Sequence, residues 1–253
     1  MKKIFSLALC TMMCMAASAQ IMQIKKNGVV IKEYTAVQAD EVVFKEAPSH
    51  EYVDLGLSVK WATCNVGAEN CYDYGDYFAW GETEGYNSGK TSFDWSTYKY
   101  CNGSYNSMTK YCISSTYGTV DNKTILEAAD DAATANWGSD WRMPTYDEFN
   151  ELYSTSNCSW TWYAAGNTNF NGVAGYKVQS KKTGYTDKYI FLPAAGYHDS
   201  SSLVSAGYIG YYWSSSLNEG YSSNARNMYF YSNYHYVGGN VRYNGQSVRP
   251  VTK

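Results

Sequence analysis

Charge is scarce in this sequence. Asp, Glu, Lys and Arg make up 17% of 253 residues, and the formal net charge is −3. No block of lysines or arginines occurs, which argues against nucleic acid as a partner. Histidine is rarer still. His50, His198 and His235 are scattered, and there is no CxxC pair. Metal-ligand spacing of the zinc kind is therefore lacking. The hydrolase words GxSxG and HExxH are missing as well. Beyond the first 19 residues no apolar run is long enough to span a bilayer.

Tyrosine, by contrast, is abundant. It occurs 27 times, and aromatics reach 17%. Such a chain folds, because disordered chains are poor in aromatics. Tyr suits half-buried strands. It also suits binding surfaces, where it gives rigid amphipathic area at low entropy cost.

Residues 1–19 read as a secretory leader. Lys2 and Lys3 precede the apolar "IFSLALCTMMCMA", and "ASA" precedes Gln20. Cleavage is expected near Ala19, giving an exported protein, secreted or held at the cell surface, with the periplasm as a further address. Cys10 and Cys14 raise a lipoprotein alternative, but Leu9 and Met13 are poor residues to precede a lipidated Cys. Five cysteines follow the leader: Cys64, Cys71, Cys101, Cys112 and Cys158. An odd number leaves at least one unpaired, and their spacing does not fix the pairing.

Residues 20–46 alternate apolar and polar and carry Asn27-Gly28, a hairpin signal. They form a small β-hairpin module, with "VQADEVVF" as a third strand. Residues 47–50 are a linker, and 51–253 are one domain. Within it, Val53, Leu55, Leu57 and Val59 alternate as a strand. Residues 84–122 are rich in Gly, Ser, Asn and Tyr and read as a surface insertion, which a Cys101–Cys112 bridge would pin. A helix is expected over 127–136. A second begins at the capping box Thr145/Glu148 and places Phe149, Leu152 and Tyr153 on one face. After Cys158, short aromatic segments alternate with Gly/Asn/Ser turns, as strands do. The class is α+β: two helices, antiparallel strands and long loops.

Consider "NARNMYFYS" as a strand. Met228 and Phe230 face one way, and Asn227, Tyr229 and Tyr231 face the other. A core face and an exposed aromatic face follow. Arg142 and Arg249 lie in apolar words, "WRMPT" and "SVRPV". Each is expected to be a partly buried guanidinium paired with a carboxylate, from Asp54, Asp76 or Glu82. The acids of "DYGDY", "GETE" and "ADDA" are read as turn residues or solvated charge. Asp130 and Asp131 lack the alternating oxygen ligands of a calcium loop. No catalytic residue, metal or cofactor is assigned.

Seven words occur in order: "DLGLSVKWATCNVGA", "YGDYFAWGET", "NWGSDWRMPTYDEF", "CSWTW", "IFLPAAGY", "GYYWSSS" and "GQSVRPV". Over residues 51–253 the chain resembles the Fibrobacter succinogenes major paralogous domain of exported proteins in Bacteroides-like bacteria. That resemblance implies a C-type-lectin-like fold, with "GLSVKWA" near "SVRPV". Residues 22–46 are similar to the short β module often found on such proteins. The framework "YYWSSS…A…M.F.S…R..G.SVRPV" also resembles the variable C-terminus of diversity-generating retroelement target proteins. There adenines of Asn codons are randomised, and single-base products include Tyr, Ser, Asp and His. Ser222, Ser223, Asn224 and the binding residues named next, Arg226 apart, fit that pattern. Arg226, Gly238 and Gly239 need a second adenine changed, while Glu219 and Gln246 do not fit.

The resemblance implies a variable face over 208–244. Its ligand-binding residues are Tyr221, Arg226, Asn227, Tyr229, Tyr231, Asn233, Tyr234, His235, Tyr236, Asn240, Tyr243 and Asn244. The partner is an unidentified macromolecule or glycan. A second reading is a constant glycan-binding or adhesin module diverged by ordinary paralogy. A third is an enzyme of the formylglycine-generating or glycosidase type. The former shares the broad fold but depends on late cysteines, and none follows Cys158.

Overall fold

The computed structural model describes residues 21–26, 29–35 and 50–253. The chain divides into two compact units, Met1–Pro48 and Ser49–Lys253. In the first, β1 (Ile21–Lys26) and β2 (Val29–Thr35) pair antiparallel, with Lys26 opposite Val29 and a register shift at Ile24/Lys25. The leader, the Asn27-Gly28 turn and the third strand expected from "VQADEVVF" lie outside the described residues.

In the second unit the strands are β3 (Tyr52–Val53), β4 (Lys60–Ala62), β5 (Cys158–Tyr163), β6 (Gly175–Ser180), β7 (Tyr189–Pro193), β8 (Tyr197–Asp199), β9 (Ser202–Val204), β10 (Ile209–Leu217), β11 (Asn224–Tyr231), β12 (Tyr234–Val241) and β13 (Val251–Thr252). The α-helices are α1 (Ala132–Trp137) and α2 (Tyr146–Tyr153). Few helices and many antiparallel strands in small sheets make an α+β or mostly-β unit. Among the described residues no helix is long and apolar enough to cross a membrane.

The ends of this unit meet. β4 lies between β13 and β3, with Val251 opposite Trp61 and Val53 opposite Trp61 on the other side. Ala62 N–H also donates to Pro250 O at 2.9 Å, and Val66 N–H to Val248 O at 3.0 Å. Arg249 locks the joint. Its guanidinium is fully buried and donates to Asn65 Oδ1, the Ala62 and Thr63 carbonyls of the β4 end, and the Phe191 carbonyl of β7. No carboxylate takes part, which corrects the expected ion pair. Arg142 does find one, but it is Glu148, gripped by both guanidinium nitrogens at 2.5 and 2.8 Å.

None of the three candidate acids meets either arginine. Asp54 caps Gly56 N–H at 2.8 Å. Asp76 accepts from Tyr77 N–H, Asn87 N–H and Ser88 Oγ. Glu82 pairs with Lys90 and accepts from Lys99 N–H. A third arginine, Arg242, is also fully buried. It donates to Tyr98 Oη and to the carbonyls of Lys110, Tyr111 and Ser222, with its guanidinium 4.8 Å from the Trp80 ring.

The sheet β10-β11-β12 has a core on each side. Its Tyr212, Met228, Phe230 and Val237 pack with Trp61, Phe149, Leu152, Tyr176 and Leu192. Its Trp213, Leu217 and Ala225 pack with Phe78, Trp80, Phe93, Tyr98 and Tyr111. Phe93, Tyr98, Tyr100, Met108 and Tyr111 belong to residues 84–122, so that segment, though mostly at the surface, is anchored in the core. Its aromatics hang from an irregular, turn-rich backbone and show no period. The Cys101–Cys112 bridge is likewise not made. All five described cysteines are free, with Cys101 Sγ–H donating to Trp95 O and Cys112 Sγ–H to Ser114 O.

Two expected elements are broken. Residues 53–59 are not one strand, because Gly56 at φ +69° turns the chain between β3 and β4. Leu55 and Val59 are nonetheless buried. The helix expected over 127–136 splits into a 3₁₀ turn (Ala128–Asp130) and α1, with Asp131 extended between them. Asp131 caps α1 by accepting from Thr134 N–H and also accepts from Met143 N–H. Asp130 accepts from the Tyr100 and Tyr111 hydroxyls and the Lys110 ammonium. The Thr145/Glu148 capping box is complete, and α2 buries Phe149 and Leu152 while Tyr153 is exposed.

Candidate functional site

Strand period and register gather tyrosines on one face of the sheet. Tyr211, Tyr229 and Tyr236 form one cross-strand row, and Ile209, Tyr231 and Tyr234 form the next. Toward the core the same face carries Trp213, Asn227 and Gly238, then Leu217, Ala225 and Asn240. The core covers Trp213, Leu217 and Ala225 and stops short of the tyrosines. Tyr231, Tyr234 and Tyr236 are therefore 41%, 40% and 46% exposed, and Tyr208 at the start of β10 is 75% exposed.

The rings touch one another. Tyr231 and Tyr234 stack at 5.4 Å, Tyr234 and Tyr236 at 6.2 Å, and Tyr211 and Tyr229 at 5.7 Å. Tyr229 sits at the centre, also contacting Tyr231, Tyr234 and Tyr236. Tyr197 extends the cluster by an edge contact to Tyr211 at 4.9 Å. Burial raises the Tyr229 phenol above its ordinary pKa, and the neighbouring phenols of Tyr234, Tyr231 and Tyr211 add to it. Burial raises Tyr211 too, with Tyr197 adding to it. These groups stay neutral at physiological pH. The surface is thus a contiguous, uncharged patch of rings and hydroxyls.

The tip of the β11–β12 hairpin is held from below. Tyr176 Oη–H donates to the carbonyls of Tyr231 and Ser232 at 3.2 and 3.1 Å. Asn233 is exposed in that two-residue turn. β12 itself falls within the variable face expected over 208–244. Its Gly238-Gly239 pair hides the strand, yet Tyr234/Tyr236 and His235/Val237 alternate with period two.

Several residues expected on the face are elsewhere. Asn227 is 1% exposed and donates to Gln246 Oε1 at 3.0 Å. Asn244 is buried, and Asn240 is half-buried and accepts from it. Ser222 and Ser223 are buried. Arg226 lies on the opposite face, its guanidinium 4.6 Å from the Tyr146 ring of α2. His235 is also on that face, stacked 4.4 Å from Trp160, where burial lowers its pKa. Tyr243 packs edge-on against Trp95. Tyr221 is exposed but meets Tyr117 rather than the cluster.

Of the expected set, the structure brings together Tyr229, Tyr231, Tyr234 and Tyr236. Tyr197 and Tyr211 were missed, although Tyr211 shares the parity of Trp213 along β10 and could have been placed by it. Among the described residues, no three His, Cys, Asp or Glu side chains lie together as metal ligands.

A family model described as "Domain of unknown function (DUF8237)" matches residues 180–251. That stretch runs from the end of β6 to the first residue of β13 and holds the whole tyrosine sheet. No curated protein and no solved structure matches the chain.

Proposed function

We propose that this chain is an exported or cell-surface binding protein without enzymatic activity, displaying the tyrosine face on a C-type-lectin-like scaffold. The observation that carries this reading is the connected, uncharged cluster of exposed Tyr rings on a sheet whose other parts are packed on both faces. A contiguous exposed aromatic patch marks a partner's site. Tyr supplies area and hydroxyls at low entropy cost, and the sheet beneath holds the rings in place. The partner is a macromolecule or glycan.

The test is a panel of purified glycans and surface proteins, probed with the full chain and with Tyr229, Tyr231, Tyr234 and Tyr236 all changed to Ser. Binders should be lost with the variant while its melting temperature stays unchanged. Binding that survives the four changes would remove the face from consideration.

Retroelement diversification is one origin for this face, and ordinary paralogy is the other. One observation favours paralogy. Asn227, Asn244, Ser222 and Ser223 fit the diversified pattern yet are buried. Randomising them would strain the core. The gene's surroundings decide: diversification requires a nearby template copy differing only at template adenines.

A further inference from the structure

Where the tyrosine face runs into the core, four carboxamide side chains gather. Asn227 Nδ2–H donates to Gln246 Oε1 at 3.0 Å, and Asn244 Nδ2–H to Asn240 Oδ1 at 3.2 Å. Between the two pairs lies Gly238, opposite Asn227 and two residues before Asn240. It has no side chain to fill the place, and the Tyr236 ring leans over it. A Cβ on Gly238 would meet Tyr236 Cε1 at 2.8 Å.

Two polar atoms of this cluster have no partner, and they are complementary. Gln246 Nε2 is a buried donor and Asn244 Oδ1 is a buried acceptor. Gln246 is 0% exposed and Asn244 is 5% exposed. Both side chains reach the same face of the sheet, Gln246 at Asn227 and Asn244 at Asn240. Folded proteins rarely leave such groups unpaired, and one without a partner calls for a water, an ion or a ligand. Charge narrows the choice. The four side chains are all neutral amides, and the Arg242 guanidinium two residues before Asn244 is spent on Tyr98 Oη and three carbonyls. An anion would find no free cation here.

We propose that these residues form a recess under Tyr236 that takes a secondary amide, the acetamido group of an N-acetylated sugar. The amide carbonyl accepts from Gln246 Nε2–H, its N–H donates to Asn244 Oδ1, and its methyl lies against the Tyr236 ring. Tyr236 is 46% exposed. A secondary amide pairs one acceptor with one donor, the complement of the two orphaned atoms. An acetamido group hangs from its sugar as a pendant, which suits a recess at the margin of a ring-paved face. The proposal rests on the reading of that face as a ligand surface.

The test follows the Gln246 side-chain NH₂ signal by ¹H–¹⁵N NMR on the full chain. The probes are N-acetylglucosamine, glucose and N-acetylglycine N-methylamide. N-acetylglucosamine should give a saturable shift and glucose none. A shift from the blocked amino acid alone would overturn the sugar assignment and give the recess to a peptide group. No saturable shift with either amide, or an equal shift with glucose, overturns the recess altogether. A fixed water retained between Nε2 and Oδ1 at saturating sugar would do the same. Gln246→Met, read from the Asn244 side-chain NH₂ signal, should weaken the response about tenfold or more, the order expected for one lost hydrogen bond to a neutral ligand. Should that variant fail to fold, Gly238→Ala places a methyl group in the space under Tyr236 and must abolish the shift. Tyr105→Ser, an exposed change outside the face formed by Tyr231, Tyr234 and Tyr236, must leave the shift intact. Macromolecular binding that needs those tyrosines but ignores Gln246→Met would fail the recess and leave the face standing.

Discussion

Replacing Phe230 with Ala tests the division of β11 into a core side and a display side. The ring is fully buried and contacts Tyr176 at 5.4 Å, Tyr212 at 5.8 Å, and Trp160 and Trp162 at 6.4 and 6.5 Å. It also fills the place opposite Gly210, where a Cβ would lie 2.2 Å from its Cζ. Truncation removes the ring and leaves a cavity walled by large aromatics that cannot collapse far. Phe→Ala changes in such sites cost about 3–5 kcal/mol. For a unit of about 200 residues that is a fall of roughly 6–20 °C in Tm. Urea unfolding monitored by tryptophan fluorescence should show a lower midpoint with an unchanged slope. Tyr231→Ser, one residue away on the other face, should stay within about 0.5 kcal/mol of the parent, as exposed substitutions do. A loss below about 1 kcal/mol for Phe230→Ala, or equal losses for the two variants, would refute the assignment of faces.

Three more outcomes follow from the core. The Asp130 carboxyl is held down to a pKa of about 2 against its own burial cost, chiefly by Lys110, Tyr100 and Tyr111. Its folded pKa lies below its unfolded value, so its contribution is complete above about pH 4 and fades as pH falls toward 2. Asp130→Asn should therefore cost up to about 2 kcal/mol at neutral pH and much less at pH 2, read from urea midpoints. Cys158 is buried, and burial pushes its thiol up to about 11. In thiol labelling of the reduced, folded chain, Cys158 and the buried Cys112 should lag behind half-buried Cys64, Cys71 and Cys101, whereas equal rates would contradict the packing. Thr145→Ala removes the α2 cap and should cost about 1 kcal/mol, measured by thermal unfolding.

What could be read from the sequence was whatever local chemistry decides. The Thr145/Glu148 box depends on residues three apart, and it forms. The inward turn of Met228 and Phe230 depends on strand period, and both are buried. What was lost depends on tertiary reach. Residues 84–122 have no periodic pattern because turns, rather than a strand or helix, deliver Phe93, Tyr98 and Tyr111 to the core. Asn227 has the right parity for the display face, but parity cannot tell which part of a face another loop will cover. His235 and Arg226 follow parity too, and it sends both to the face opposite the tyrosines. The arginine partners were misjudged because backbone carbonyls carry no sequence signature, and Arg249 and Arg242 use mostly carbonyls.

That last choice has a consequence for how the domain fails in acid. A clasp made with a carboxylate lets go when the acid takes up a proton. Arg249 fastens β4 to β7 through an amide oxygen and peptide oxygens, which do not titrate in water's ordinary range. Arginine itself keeps its proton even when burial lowers its pKa. The seam joining the two ends of this unit is thus blind to pH. Acid damage should begin at Asp130 and at the Arg142–Glu148 pair, while the two ends of the unit are still fastened together.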